Sequence, residues 1–402
     1  MNMTTKKDIF ARYLNEYLKG SKQRKGEILD HVCDVIGLHR KAAIRKFRRL
    51  QMRDPALPPK RGRKTYYTPD CVYALKTVWE AASEICGELL HSIIEEYVKI
   101  LQRDKMWPHG NEATKKLLEM SEATVKRKAG GFMKAKKPRG LSSTKPSHLK
   151  EIIPIFTGPW EDKSPGYGQI DTVVHCGSAL AGNMVHSVNY TDVAVLWHSF
   201  AAQWNKGQEQ TQKSLSRIKQ KVPFKILGMH PDTGSEFINY FVKDWCDENR
   251  IELTRSRPYH KNDNAYVEQK NGHVIRRFLG YSRIDNKGAV SIMNKMYDKL
   301  ELYLNHFVPS RKCIEKIRVG SRYKRKYDKA KTPFQRVLEH SEISENVKKQ
   351  LEKEHKKLNP LILKKEVDKL ITKVFEVQKA AATLVFEEDF SKSSSVTVSN
   401  EL

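Results

Sequence analysis

Three stretches of the sequence decide the fold: GYGQIDTVVHCG at 166–177, FKILGMHPDTGSEF at 224–237 and HKNDNAYVEQKNGHVIRRF at 260–278. The first has the composition of a buried strand, yet it carries a carboxylate, Asp171, and a buried strand rarely keeps an unpaired aspartate without a use. The second is a strand with Asp232 at its carboxyl end, where open α/β sheets place functional groups. The third predicts a helix that bears Glu268 and that Asp263 or Asn264 can cap.

The segments between these stretches supply the remaining elements of one domain. Two β-like runs, MVHSVNYT and VAVLWHSFAAQ, follow the first stretch, and a polar helical segment at 208–221 comes next. A helix over 235–249 and the strand IELTRSRPY precede the third stretch. Three strands, then helix, strand, helix, strand and helix, is the order of an RNase H-like fold. We therefore predict a central α/β core over 161–308 with a five-stranded mixed sheet.

The spacing of the carboxylates carries a family resemblance. Sixty residues separate Asp171 from Asp232, and 35 separate Asp232 from Glu268. The second spacing is that of the retroviral integrase superfamily. Together with QIDT, HPDTGSEF, PYHKNDNAYVEQKNG and DKAKTPFQRVLE, it makes residues 165 to 335 resemble the integrase-like (rve, DDE) cores of bacterial insertion-sequence transposases. One difference is that the His/His/Cys/Cys zinc module of retroviral integrases is missing here, and helix-turn-helix patterns stand in its place.

The resemblance implies a catalytic centre with two divalent cations. Hard cations such as Mg²⁺ take oxygen ligands, and two of them about 4 Å apart can activate the attacking oxygen and stabilise the leaving oxygen. Asp171 would bridge both ions, Asp232 would hold one and Glu268 the other; Mn²⁺ could substitute. The implied activity is cleavage at the 3′ end of a mobile element followed by strand transfer into target DNA. Three other carboxylates compete for the third place, namely Asp263, Glu236 and Glu252.

The first 51 residues predict a helix-turn-helix domain. Apolar residues recur at helical spacing on both sides of Gly37-Leu38-His39-Arg40, which implies two helices joined by a tight turn. The second helix is strongly basic, and its candidate DNA contacts are Arg40, Lys41, Arg45 and Arg48. The alternative is an amphipathic hairpin whose basic face is merely solvated.

A basic linker over 52–64 follows, with three prolines. Its Pro59-Lys60-Arg61-Gly62-Arg63 core is similar to an AT-hook, in which Arg61 and Arg63 would enter a narrow minor groove. A plain linker is the alternative.

A second helical DNA-binding region is predicted over 65–130. Thr68 and Pro69 favour a helix start, and Ser121 caps a helix that carries Lys126 and Arg127. Residues 131–160 then form a basic linker whose candidate phosphate contacts are Lys136, Lys137 and Arg139. Within the core, the candidate DNA contacts are Lys261, Lys270, Arg276 and Arg277.

The last third of the chain is less distinctive. Residues 309–340 are expected to form a basic β-rich module or an extended arm, and residues 341–390 a helical region broken at Asn359-Pro360. The apolar stripe of that region could bind a second copy or pack within the chain. Residues 391–402, rich in serine, are expected to be disordered.

Composition indicates a nucleic acid partner. The chain of 402 residues has a formal charge of +27, and the excess lies at its two ends. Residues 1–150 hold 33 basic and 16 acidic side chains, residues 151–270 hold 13 and 14, and residues 271–402 hold 28 and 17. A near-neutral centre between basic flanks suits an enzyme that coordinates cations in the middle and grips phosphates with its arms. A generic basic protein is the alternative.

The remaining expectations concern surroundings and assembly. Six dispersed cysteines without a C-x-x-C pair indicate a reducing compartment. The sequence lacks a signal peptide or a long apolar span, so we expect a cytoplasmic, nucleoid-associated protein. Transposases must bring two double-stranded DNA ends together, which implies a homodimer or larger complex. Two other functions stay open: a DNA-binding regulator with an inactive integrase-like core, and an RNase H-like nuclease without strand transfer.

Overall fold

The computed structural model describes residues 3–52, 66–132, 153–156, 160, 163–232, 234–257, 265–319 and 322–396. The chain divides into two compact units, Met1–Tyr66 and Tyr67–Leu402. Several predicted DNA contacts lie outside the described residues: Arg61, Arg63, Lys136, Lys137, Arg139 and Lys261.

The described part of the first unit contains three helices, α1 (Met3–Lys19), α2 (Lys22–Ile36) and α3 (Arg40–Gln51). The predicted turn is present: α2 ends at Gly37, whose φ of 71° is left-handed, a conformation that glycine adopts without strain. The spacing of apolar residues predicts two helices, and α1 is an addition. It packs through Phe10, whose ring lies 4.9 Å from that of Phe47.

The second unit begins with five helices: α4 (Pro69–Ala81), α5 (Gly87–His91), α6 (Ile94–Arg103), α7 (Asn111–Leu118) and α8 (Glu122–Gly130). As predicted, Ser121 caps α8, and its hydroxyl accepts the N–H of Thr124. These helices pack against later parts of the chain. The hydroxyl of Tyr303 donates to the carbonyl of Ala81 at 2.8 Å, so this helical region shares a core with the sheet domain.

A five-stranded sheet forms the centre of the second unit. Its strands are β1 (Tyr167–Val174), β2 (Val185–Asp192), β3 (His198–Trp204), β4 (Gly228–Pro231) and β5 (Glu252–Leu253). Their order is β3-β2-β1-β4-β5; β2 is antiparallel to β1 and β3, whereas β4 is parallel to β1 and to β5. This mixed sheet, with helices on either side in the sequence, confirms the predicted RNase H-like fold.

Helices cover both faces of the sheet. They are α9 (Gln208–Lys221), α10 (Tyr240–Glu248), α11 (Ala265–Lys270), α12 (Arg276–Leu279) and α13 (Ala289–Phe307), with a π-helical turn, Asn271–Ile275, between α11 and α12. One face, with Val173 and Phe200, packs on α13. The opposite face, with Ile170 and Val188, packs on α9 and α10. The alternation of side chains along each strand produces this division.

The chain ends in a two-stranded sheet and three helices: β6 (Cys313–Val319), β7 (Arg322–Tyr327), α14 (Pro333–Glu339), α15 (Glu345–His355) and α16 (Pro360–Val396). The apolar stripe of α16 packs within the chain, because Leu363, Val367 and Val374 are buried in the core that contains α13. The helix continues through Val396, into the segment predicted to be disordered, while 397–402 lies outside the described residues. Within the described part, the structure contains no helix long and apolar enough to span a membrane.

Candidate active site

Asp171 lies in the middle of β1, on the face of the sheet that α11 and α13 cover. Its register partner on β2 is Asn189. One carboxylate oxygen of Asp171 accepts the N–H of Thr172 at 2.7 Å, and the other accepts an N–H from the Asn271 side chain at 2.5 Å. The carboxylate is therefore held on both oxygens, once by its own strand and once by the helical segment 100 residues later.

Asp232 directly follows β4. Because β4 runs parallel to β1 and pairs Pro231 with Ile170, the next residue of each strand is an aspartate. The Asp232 carboxylate accepts the N–H of Gly234 at 2.8 Å. A Cβ at Gly234 would fall 2.8 Å from both Asp232 Oδ1 and Glu236 Oε2, so either carboxylate would have to shift to admit a side chain there. The turn thus brings the carboxylate of Glu236 close to that of Asp232.

Three carboxyl groups lie close together where β1 and β4 carry their aspartates: Asp171, Asp232 and Glu236. Asp171 keeps part of its surface open to solvent, yet burial of the carboxyl, reinforced by the charges of Asp232 and Glu236, raises its pKa to about 8. The hydrogen bonds from Thr172 and Asn271 act in the opposite direction. Burial and the charge of Asp232 also raise the pKa of Glu236. Such a cluster favours binding either a proton or a cation.

Glu268 is carried by α11 and is exposed. Polar side chains of the sheet anchor this helix: Gln169 accepts the N–H groups of Tyr266 at 2.9 Å and Val267 at 3.2 Å. The side chain of Asn189 donates to that of Asn271 at 3.0 Å. The helix is therefore fixed to β1 and β2 on both sides of the position of Asp171.

The structure brings together two of the three predicted carboxylates. The charges that raise the pKa of Asp171 belong to Asp232 and Glu236. In the described part of the chain, no group of three His, Cys, Asp or Glu side chains is arranged to hold a metal ion, and the role of Glu268 stays a prediction. Of the other competitors, Glu252 is exposed and Asp263 lies outside the described residues.

The predicted DNA contacts on α3, in the first unit, and on α8, in the second unit, lie on the protein surface. The exposed basic side chains of α3 include Arg40, Lys41, Arg45 and Arg48. Arg40 also forms an ion pair with Asp30 of α2. On α8 both Lys126 and Arg127 are exposed, and Lys126 pairs with Glu88. Both helices can present cations to a phosphate backbone.

The predicted contacts of the catalytic domain are more enclosed. Arg276 donates to the carbonyl of Val174 at 2.7 Å, and Arg277 donates to the carbonyl of Ser83. Burial, together with the charge of Arg336, lowers the pKa of Lys270 to about 8. Arg276 and Arg277 thus have roles within the fold, and contact of all three cations with DNA stays a prediction.

Sequence reasoning missed three amides that organise the site: Gln169, Asn189 and Asn271. A signal existed for Asn271, because residues three apart in a helix lie on neighbouring positions of its surface and Asn271 is three residues after Glu268. Nothing local to the sequence marks Gln169 or Asn189, since their partners come from α11 and its π-helical turn, roughly 80 to 100 residues further on.

Fold and site together define an RNase H-like domain with paired aspartates on adjacent parallel strands. No protein-family model matches the chain. It is 32% identical over 342 residues to "Uncharacterized protein y4rM" of Sinorhizobium fredii, covering 84% of this chain and 96% of that protein. The chain therefore belongs to the same family as y4rM.

Solved structures with some similarity include the catalytic core domain of BIV integrase, at 14% identity and a TM-score of 0.28, covering 42% of this chain and 91% of that one. Another is the simian T-cell lymphotropic virus intasome in complex with PP2A regulatory subunit B56 gamma, at 14% identity and a TM-score of 0.26, covering 46% and 60%. These similarities are too low to support an argument about function, and the fold assignment rests on the strand order.

Proposed function

We propose that this protein is a DNA transposase of the DDE type, which binds the terminal inverted repeats of a mobile element, cleaves at the 3′ end and joins that end to target DNA. The observation that carries the proposal is the pair Asp171 and Asp232, on adjacent parallel strands of an RNase H-like sheet. Burial, reinforced by the charge of Asp232, raises the pKa of Asp171 to about 8. A purely structural pair of carboxylates gains nothing from such repulsion.

The donor set at this edge fits a divalent cation. Carboxylate oxygens are the ligands that Mg²⁺ and Mn²⁺ take, and the crowding of Asp171, Asp232 and Glu236 is relieved by positive charge. We assign Asp171 and Asp232 as ligands and Glu268 as the third, on its spacing in the sequence. When bound, two such ions supply activation of the attacking oxygen and stabilisation of the leaving one.

The chain's own residues orient these ligands. Asn271 and the N–H of Thr172 fix the two oxygens of Asp171, so its carboxylate does not rotate freely. Gln169 holds the first turn of α11, which fixes the backbone from which Glu268 extends. Positioning of this kind is the main contribution of a protein to phosphoryl transfer.

DNA binding is assigned to the basic helices. The exposed cations of α3 and α8 would contact phosphates of the element's ends. Because two ends must be joined in one reaction, we expect two or more copies of the chain in the active complex.

The primary test is Asp171→Asn. With Mg²⁺ and a duplex carrying the inverted repeat that flanks the gene, we expect cleavage and joining to fall by at least about 10³-fold, since a transition-state ligand is lost, while DNA binding is retained. Glu252→Gln, which removes an exposed carboxylate from β5 of the same sheet, is the matched control and should leave activity unchanged. Unchanged joining by Asp171→Asn would refute the assignment, and binding without cleavage by the unaltered protein would indicate a regulator.

A second pair of variants identifies the third carboxylate. Glu268→Gln should abolish Mg²⁺-dependent cleavage as completely as Asp171→Asn, whereas Glu236→Gln should reduce it by less than about tenfold because it only lowers the local negative charge. The reverse ranking would transfer the ligand role to Glu236. Cleavage without joining would favour a nuclease over a transposase.

A further inference from the structure

The strands β6 and β7 form a ribbon with unusual surroundings. Among the described residues they form a sheet of two strands, in a register that places Ile317 opposite Lys324 and Glu315 opposite Lys326. Of the strand residues whose side chains are described, all except Cys313 are exposed. An isolated two-stranded ribbon is at best marginally stable in water. Its conformation therefore needs support from its base or from a partner.

The base of this ribbon is firmly attached. The N–H of Lys312 donates to Asp328 at 2.7 Å, which ties the entering strand to the residue after the leaving strand. Asp328 also pairs with Arg336 of α14, and Arg336 donates to the carbonyl of Ser310 at 2.9 Å. The two strands thus extend from a rigid, hydrogen-bonded foundation.

The same base adjoins α8. Arg311, two residues before β6, contacts Glu88 of α5 at 2.9 Å and Glu122, the first residue of α8, at 3.6 Å. Glu88 also pairs with Lys126 of α8. The ribbon therefore starts beside the helix whose exposed cations include Lys126 and Arg127.

The charge of the ribbon indicates the chemistry of its partner. The two strands contain six basic residues and one acidic residue, and the acid, Glu315, lies 3.7 Å from Lys326. Lysines also protect exposed sheet edges from aggregation, but that role does not account for Ile317 and Val319, which are 47% and 61% exposed on the same face as Lys324. Cations together with apolar groups match phosphates together with thymine methyl groups.

We propose that the β6–β7 ribbon is an arm that lies in the major groove of double-stranded DNA beside α8. The inference rests on the proposed function, because it names a second DNA-binding surface of the same protein. The major groove is wide enough for a two-stranded ribbon. The fixed base holds the arm next to α8, which would contact the flanking phosphates.

The test compares two double variants of the full chain. Lys324→Ala with Lys326→Ala removes two cations from one face of the ribbon, and Lys349→Ala with Lys353→Ala removes two exposed cations from α15. Affinity for a fluorescent duplex is measured by anisotropy across a range of salt concentrations. The slope of log affinity against log salt should fall by about 2 for the ribbon variant, one for each lost phosphate contact, and stay unchanged for the control.

Two further variants separate DNA contact from damage to the fold. Lys324→Arg with Lys326→Arg should restore the slope, because the charge returns. Ile317→Ser should weaken binding by a similar factor at every salt concentration, because an apolar contact releases no counterions. Circular dichroism of each variant should match that of the unaltered protein.

The outcomes distinguish the arm from the proposed function. A ribbon variant with the slope of the control overturns the arm, even where the unaltered protein cleaves DNA. A ribbon variant that changes only the sedimentation mass also overturns it, because the surface then binds a second copy. An unaltered protein that binds no duplex overturns both proposals.

Discussion

Two aspartates of the same sheet have opposite surroundings. Asp192, at the end of β2, is fully buried and accepts three backbone N–H groups, from Gly166 at 2.7 Å, Ala194 at 2.9 Å and Val195 at 2.8 Å. Asp171, in the middle of β1, receives one backbone N–H and one amide N–H, and faces the charges of Asp232 and Glu236. The carboxylate of Asp192 therefore holds a turn together. The carboxylate of Asp171 lies near two other negative charges and accepts fewer hydrogen bonds.

The comparison shows that burial of a carboxylate does not by itself indicate function. Burial is the largest cause of a raised pKa in both groups, and the resulting pKa is about 6 for Asp192 and about 8 for Asp171. For Asp192 the neighbours oppose the effect of burial, through hydrogen bonds and the charge of Lys312. For Asp171 the neighbouring carboxylates add to it. The sign of the contribution from neighbouring charges separates a structural aspartate from a candidate ligand.

The largest effect on stability is expected at Asp192. Asp192→Ala leaves three N–H groups without this acceptor, two of them buried, which should lower the free energy of unfolding by about 3 kcal/mol. Asp192→Asn should cost less, because one oxygen can still accept two of the bonds. Urea unfolding followed by circular dichroism measures both. If Asp192→Ala lowers the free energy of unfolding no more than Glu252→Ala does, Asp192 has no structural role of this kind.

A smaller effect is expected from divalent cations. At about 100 times the dissociation constant, Mn²⁺ should raise the free energy of unfolding of the unaltered protein by about 2.7 kcal/mol. Asp171→Asn should lose most of this stabilisation, whereas Asp192→Asn should keep it. Differential scanning calorimetry with and without Mn²⁺ makes the comparison. Equal stabilisation of both variants would place the cation elsewhere.

The smallest effect is on the pH dependence of stability. The pKa of Asp171 is about 8 in the folded chain, against an ordinary value of 3.8 for an aspartate. Between these values the folded chain binds the extra proton, so stability falls as the pH rises. Asparagine does not titrate, so the stability of Asp171→Asn lacks this decrease with pH. Without divalent cations, the difference in free energy of unfolding between Asp171→Asn and the unaltered protein should therefore shift in favour of the variant by at least about 1 kcal/mol from pH 5 to pH 8. A constant difference across this range would show that the carboxyl titrates normally.

Much of the fold follows from patterns within short segments. The strand around Asp171, the strand before Asp232 and the helix with Glu268 were each readable from apolar periodicity and capping residues. Gly37 marked the end of α2, and Ser121 the start of α8, because each residue type meets a local backbone requirement. The candidate aspartates followed from their places in these elements.

Other features depend on contacts between distant segments. The sequence analysis left the stripe of α16 open between a second copy and the chain itself, and the structure buries Leu363 and Val367 in the core that contains α13. Spacing favoured Glu268 as third carboxylate, while the structure places Glu236 within electrostatic range of Asp171.

The sequence by itself determined the element types, the strand order along the chain and the two aspartates, because helix and strand periodicity and chain direction are local properties. Only the tertiary structure decided which amides hold Asp171 and where α16 packs. The bond from Asn271 spans 100 residues, and such contacts form only when strand register and helix docking are already set.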